Sequence, residues 1–171
     1  MKHIFLSLLL STFLFGSLEN INSFKADFTQ NVTDDKGKVL SYTGKVLASK
    51  PQNALWNYIE PLSKDIYIDS HKVTIIEPEI EQAIIRRIES NFDFFNMISK
   101  AKQIDKNSYV ALFKNSKFII KTEKTLIKSI SYRDEFDNEV EIIFTNQEQN
   151  IKVDESIYIP NIPLDFDIIR N

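Results

Sequence analysis

From Phe24 onward the chain is a succession of short segments in which apolar and polar residues alternate, joined by polar turns. Phe24, Ala26, Phe28, Gln30 and Val32 share one face of an extended segment, and Lys25, Asp27, Thr29 and Asn31 share the other. Asp34-Asp35-Lys36-Gly37-Lys38 is a turn signal, and extended character resumes from Val39 to Ala48, which predicts a hairpin. Pro51 then punctuates the chain, Leu55 to Ile59 is rich in β-favouring residues, and Glu60-Pro61 closes that segment. Ile66 to Ile68 and Val73 to Ile76 flank the turn Asp69-Ser70-His71-Lys72. Tyr109 to Phe113, Phe118 to Thr122, Ile127 to Tyr132 and Val140 to Thr145 repeat the style in the second half. Nothing between these segments is long enough for the helical crossover that parallel strands need. The pattern therefore predicts a mainly β chain of about ten or eleven antiparallel strands, arranged as a barrel or sandwich.

One stretch departs from this rhythm. Between Ser90 and Lys102 the apolar residues Phe94, Phe95, Met97, Ile98 and Ala101 fall at helical spacing. Asn91 is a candidate cap, and Asp93 in the first turn suits the helix dipole. A second short helix is expected to link the signal to Phe24, with Leu18 and Ile21 sharing a face.

The first seventeen residues read as a processing signal. Lys2 supplies the positive end, and Ile4 to Phe15 is an apolar run too short to span a bilayer, with Gly16 and Ser17 as the expected cleavage region. Residues 18–171 then form one domain with a sizeable core. Loss of Lys2 with the signal leaves 20 basic residues against 24 acidic ones, scattered without a basic cluster, so nucleic acid is not an expected partner. With no cysteine there is no thiol nucleophile, no zinc–thiolate site and no acylatable residue after the signal. His71 is the sole histidine left, so a multi-histidine metal site is excluded, and two glycines, Gly37 and Gly44, cannot build a Gly-rich phosphate cradle. No metal, no cofactor and no catalytic residue are expected.

Several segments are apolar on both faces, among them Val73-Thr74-Ile75-Ile76, Phe118-Ile119-Ile120 and Ile142-Ile143-Phe144. One or two short helices cannot cover so many strands. Either the sheet closes tightly on itself or it stays open around a space, and the pattern supports both.

Ile21-Asn22-Ser23-Phe24-Lys25-Ala26-Asp27-Phe28-Thr29-Gln30 resembles the first strand of the outer-membrane lipoprotein carrier (LolA) family, whose hallmark is Ser-Phe-x-Ala-x-Phe-x-Gln shortly after a signal peptide. The likeness continues through Val32-Thr33-Asp34 and Gly37. Gly44, Lys50-Pro51, Trp56, Tyr58 and Pro61 resemble the family's Gly…Arg-Pro…Trp…Pro pattern. Ile68-Asp69, Val73, Pro78 and Glu81-Gln82-Ala83 complete an ordered set over residues 21 to 83, while the later half is similar only in strand rhythm.

The resemblance implies an incomplete antiparallel β-barrel with short helices forming a lid over a hydrophobic cavity. It implies a monomeric periplasmic carrier that takes acylated lipoproteins from an inner-membrane ABC-type release complex and delivers them toward an outer-membrane acceptor, breaking no bond. Exposing acyl chains to water costs about 0.8 kcal/mol per CH₂, so a shuttle must supply an apolar lining. Under this reading Phe24, Phe28, Trp56, Tyr58, Ile66, Ile68, Val73 and Ile75 line the cavity. Phe94, Phe95, Met97 and Ile98 form the underside of the lid. Lys50 stands where the family carries a lid-latching arginine; lysine lacks the planar fork and would latch less firmly. Ala54 replaces a larger apolar residue of better-known relatives.

Two rival functions fit the residues less closely. A carboxylate-dependent hydrolase needs a pair of acids, but Asp65, Asp69, Glu77, Glu79 and Glu81 fall at turns, where solvated charge is ordinary. A lipid- or glycolipid-binding sensor on the same scaffold is the other. The lipidated outer-membrane acceptor itself would need an N-terminal cysteine that is absent.

Overall fold

The computed structural model describes residues 18–87 and 93–170. The expected signal segment and the expected cap Asn91 lie outside the described residues. β1 (Ser23–Thr33), β2 (Val39–Ser49), β3 (Asn53–Glu60), β4 (Lys64–Ile68), β5 (Lys72–Glu77) and β6 (Gln82–Arg87) form one meander. After the helix α1 (Phe94–Ser99), a second meander holds β7 (Lys102–Asp105), β8 (Ser108–Phe113), β9 (Ser116–Glu123), β10 (Leu126–Arg133) and β11 (Glu139–Gln149). A last strand, β12 (Asp167–Arg170), follows a short 3-10 turn at Glu155–Tyr158.

The meanders join through β1 and β11 into one twelve-stranded sheet of order β12-β6-β5-β4-β3-β2-β1-β11-β10-β9-β8-β7. Neighbouring strands sit roughly 4.8 Å apart, so β4 and β9, six spacings apart in this order, would be roughly 29 Å apart in a flat sheet. Yet Ile68 of β4 and Phe118 of β9 line the same hollow, so the sheet must curl around it. The edge strands β12 and β7 do not pair with each other, which leaves the barrel incomplete.

The two central hairpins are closed by the same turn chemistry. Asp34 Oδ1 accepts from the backbone N–H of Lys36 (2.9 Å) and Lys38 (2.8 Å), and Asp134 Oδ1 accepts from Phe136 (2.9 Å) and Asn138 (2.9 Å). In each turn one residue takes the left-handed conformation, Gly37 at φ +78° and Asp137 at φ +65°. Short polar side chains that bond their own backbone favour such turns.

Three expectations need correction. Among the described residues the sheet has twelve strands, because Gln82–Arg87, Lys102–Asp105 and Asp167–Arg170 are strands that alternation did not reveal. It is not wholly antiparallel: β12 pairs in parallel with β6, through Asp167↔Gln82 to Arg170↔Ile85. The connection needed no helical crossover because the chain from β11 passes behind the sheet to reach that edge. The short helix expected ahead of β1 is only a 3-10 turn, Leu18–Asn20, in which Leu18 is buried, as is Ile21 just after it.

The two-sided apolar strands have two coverings. The inner face carries the main core, with Phe24, Phe28, Val46, Ile120, Ile130, Ile142 and Phe144 joined by Phe95, Met97 and Ile98 of α1. On the outer face Ser23 Oγ donates to the Ile151 carbonyl (2.7 Å), and the Glu155–Tyr158 turn packs on β3. Thr74, Ile76 and Ala83 are buried on the face opposite Val73, Ile75 and Ile84.

Candidate functional site

The inner wall is built by matching large side chains to small ones across the ladder. Phe24 faces Ala48, Ala26 faces Val46, and Phe28 faces Gly44. Val46 then faces Trp56, and Ala48 faces Ala54. Gly44 has a specific reason to lack a side chain. A Cβ there would come within 2.8 Å of Cε1 and Cζ of the Phe28 ring and closer still to the Asn57 carbonyl oxygen. Phe28 therefore lies over the bare backbone and meets Trp56 and Tyr58 edge-on, with centroids at 5.0 and 4.9 Å. Phe144 meets Phe24 at 5.0 Å and Trp56 at 6.4 Å, tying β11 to the β1–β3 wall.

Above this wall lies a cavity of about 280 Å³. Phe24, Trp56, Ile68, Phe118, Tyr132, Ile142 and Phe144 face it from the sheet, and Phe94, Phe95 and Met97 face it from α1. Gln52 and Asn53 bring polar groups to it beside the β2–β3 turn. A second hollow of about 290 Å³ lies between α1 and β8, walled by Asn96, Met97, Val110 and Phe113. Met97 thus has empty volume on both sides, and flexible methionine adapts to such gaps. The helix itself is six residues long. Asp93 caps it, accepting from the Asn96 N–H at 2.9 Å, so the capping role falls to Asp93. A helix this short does not hold its shape alone, so its place depends on the buried side chains of Phe95, Met97 and Ile98.

The sequence-predicted lining residues are divided by this geometry. Phe24, Trp56, Ile68, Phe94, Phe95 and Met97 face the cavity. Phe28 and Tyr58 are buried in the core behind Trp56, and Ile66 packs against that core. Val73 and Ile75 sit on the same sheet face by register, opposite Ile68 and Ile66, but beyond the cavity wall. Ile98, only 1% exposed, turns into the core. Lys50 does not reach α1: its ammonium donates to Asn22 Oδ1 (3.0 Å) and its N–H to the Asn22 carbonyl (2.9 Å), fastening the β2–β3 turn to the start of β1. A compact ammonium makes this one short bond to the Asn22 amide, whereas a guanidinium fork could span further. The contribution of the second meander, Phe118, Ile130, Tyr132, Ile142 and Phe144, was not singled out from the sequence. Its only signal was the alternation Val140, Ile142, Phe144, which names a face without saying what lies over it.

Beyond Trp56 and Phe28 the inner face becomes polar. The Tyr58 hydroxyl donates to Gln30 Oε1 (2.7 Å). Burial pushes the Tyr58 phenol up to about 12, and the nearby phenols of Tyr132 and Tyr42 add to the effect. Burial also raises Tyr132, with the Asp134 carboxylate contributing. The Lys64 ammonium sits over the Tyr58 ring at 4.6 Å and the Tyr42 ring at 5.6 Å. Among the described residues no group of three His, Asp or Glu side chains could hold a metal ion. No helix among them is long and apolar enough to cross a membrane.

Comparison with known proteins agrees with this architecture. Residues 19–160 match the family model described as "Outer membrane lipoprotein carrier protein LolA". An outer-membrane lipoprotein carrier protein of Campylobacter jejuni is 39% identical over 157 residues, covering 92% of each chain. One from Wolinella succinogenes is 32% identical, covering 91% of each. One from Helicobacter pylori is 33% identical, covering 90% of this chain and 83% of its own. Among solved structures, an uncharacterized conserved protein from Thermus thermophilus shares the fold, with a TM-score of 0.56 at 10% identity over 90% of this chain and 93% of its own. A cavity of hydrocarbon and aromatic rings under a short helix, in a chain matched along most of its length, leads to one assignment. The chain belongs to the outer-membrane lipoprotein carrier (LolA) family.

Proposed function

We propose that the protein carries the acyl chains of lipoproteins through the periplasm, exported by the segment 1–17 and acting as the domain 18–171. The observation that carries this reading is the apolar hollow between the curled sheet and α1. Its walls are almost wholly hydrocarbon and aromatic, which suits a ligand with no polar groups to satisfy. At about 280 Å³ it stands at the small end of ligand pockets, roughly 300–1,000 Å³. Long acyl chains therefore enter only if α1 lifts, with the lipid tails replacing the apolar contacts that Phe95, Met97 and Ile98 give up. Phe94, Phe95 and Met97 then serve as its greasy underside, while Phe24, Trp56, Ile68 and Phe144 form the floor. Membership of the carrier family supports a donor and a destination for this cargo, which we take to be an inner-membrane ABC-type release complex and an outer-membrane acceptor. The reading requires no catalytic group.

Trp56 is the chain's single tryptophan, so its fluorescence reports on the cavity directly. A lipopeptide with brominated acyl chains is expected to quench Trp56 saturably. Trp56→Glu, which puts an unpaired charge against the apolar wall, is expected to abolish uptake of a fluorescent acyl probe. Absence of quenching in the parent protein overturns the carrier reading.

A further inference from the structure

The polar end of the inner face has hydrogen-bonding capacity that the protein does not use. Gln30, Tyr42, Tyr58 and Lys64 are brought together by register: Gln30 pairs with Tyr42 across β1–β2, and Tyr58 with Lys64 across β3–β4. Tyr132 joins from β10, where it pairs with Val140, itself the partner of Val32 two residues along β1 from Gln30, and it also lines the apolar cavity. The polar group and the hollow are thus two ends of one surface.

The unused atoms are mainly donors. Tyr58 occupies the oxygen of the Gln30 amide, which leaves that side chain's NH₂. Stacking over two rings uses the charge of Lys64 but not its N–H bonds. The neighbouring carboxylates are engaged elsewhere. Asp65 lies on the other face and accepts from Asn57 Nδ2 (2.6 Å). Asp134 is held within its own turn by Phe136 and Asn138. Among the described residues the Tyr42 and Tyr132 hydroxyls and the Lys64 ammonium have no hydrogen-bond or ion-pair partner. Gln30, Tyr42, Lys64 and Tyr132 are half-buried rather than sealed off.

We propose that Gln30, Tyr42, Lys64 and Tyr132 form a head-group subsite that binds the ester carbonyl oxygens at the root of the acyl chains. This rests on the carrier reading and deepens it. A set of donors beside a hydrocarbon pocket is the arrangement that fixes the orientation of an otherwise featureless ligand. One lysine among phenols and an amide suits neutral, acceptor-rich carbonyls better than a phosphate, which draws several cations or a guanidinium fork. The tails would point toward α1, and the cargo's polypeptide would leave past the turns that follow β3 and β10.

The test uses Trp56 quenching by three brominated lipids of equal chain length: a diacyl ester, a dialkyl ether lacking carbonyls, and the same ether carrying a phosphate. The parent protein is expected to bind the ester roughly tenfold more tightly than the plain ether, the worth of one charge-assisted hydrogen bond. In Lys64→Met and in Tyr42→Phe the ester should fall toward the ether. Retained ether binding shows that each variant is folded. Equal binding of ester and ether by the parent, or preference for the phosphate ether, overturns the subsite while leaving the carrier reading intact. Failure of every lipid to quench the parent removes both.

Discussion

Gly44→Ala is the sharpest test of how the wall is built. Alanine in a strand would by itself be favoured over glycine by about 0.5–1 kcal/mol, because it loses less freedom on folding. At Gly44 that gain is outweighed, since the new methyl meets the Phe28 ring at 2.8 Å and the Asn57 carbonyl oxygen closer still. A ring edge can yield by a few tenths of an ångström. The Asn57 carbonyl is backbone of the paired strand β3, so β2 and β3 must separate where the ladder already shifts register between Thr43 and Gly44. Overpacking with a backbone partner belongs at the upper end of its range, about 3 kcal/mol. A domain of this size would then melt roughly 6–12 °C lower. Urea unfolding followed by Trp56 emission measures the loss, and the native emission should shift as well, because the displaced Phe28 ring lies 5.0 Å from Trp56. Gly37→Ala is the control: nothing lies within 4 Å of its Cβ, so only the positive φ opposes it, at about 1–2 kcal/mol. Adding Phe28→Leu to Gly44→Ala should recover part of the loss and not all of it. A Gly44→Ala protein as stable as its parent would refute this account of the wall.

Asp93→Ala removes the side-chain cap of α1 and is expected to cost about 1 kcal/mol, with faster hydrogen exchange at Asn96 and Met97; unchanged exchange would show that packing alone holds the helix. Lys50→Met should change stability by no more than about 1 kcal/mol and leave exchange in α1 untouched, because its ammonium bonds Asn22. Weakened protection of α1 in that variant would restore Lys50 as a latch. Asp27 is held below the ordinary carboxylate range chiefly by its hydrogen bond from Asn146, and then by Lys45. A depressed folded pKa means that its stabilisation is complete above the unfolded value near about 3.9 and fades as pH falls through the lower folded value. The melting gap between the parent and Asp27→Asn should therefore be present at neutral pH and close in acid, and a pH-independent gap would contradict the assignment.

Legibility differed sharply between local and distant features. The alternation from Phe24 to Val32 named the inner face of β1 correctly, because side-chain direction in a strand has a period of two and needs no partner to define it. The turn at Asp34 to Lys38 was readable for a similar reason: an aspartate bonding its own backbone, with a glycine at positive φ, is complete within five residues. β12 was not readable. Its four residues are exposed and gain their strand conformation from β6, more than eighty positions earlier. β6 and β7 are likewise short and lack clean alternation.

The sequence alone determined the class of structure, the family and the character of the floor. Short alternating segments permit little else, and the ordered motifs of residues 21 to 83 are local strings. Only the tertiary structure decided which apolar side chains meet open space and which meet one another. Phe24 and Trp56 face the cavity while Phe28 and Tyr58, also aromatic and on the same strand faces, are buried behind them. That choice depends on the curl of the sheet, on the seating of the Phe28 ring over Gly44 and on where α1 comes to rest. Each of these is set by contacts between segments distant in the chain, and periodicity within one segment carries no record of them.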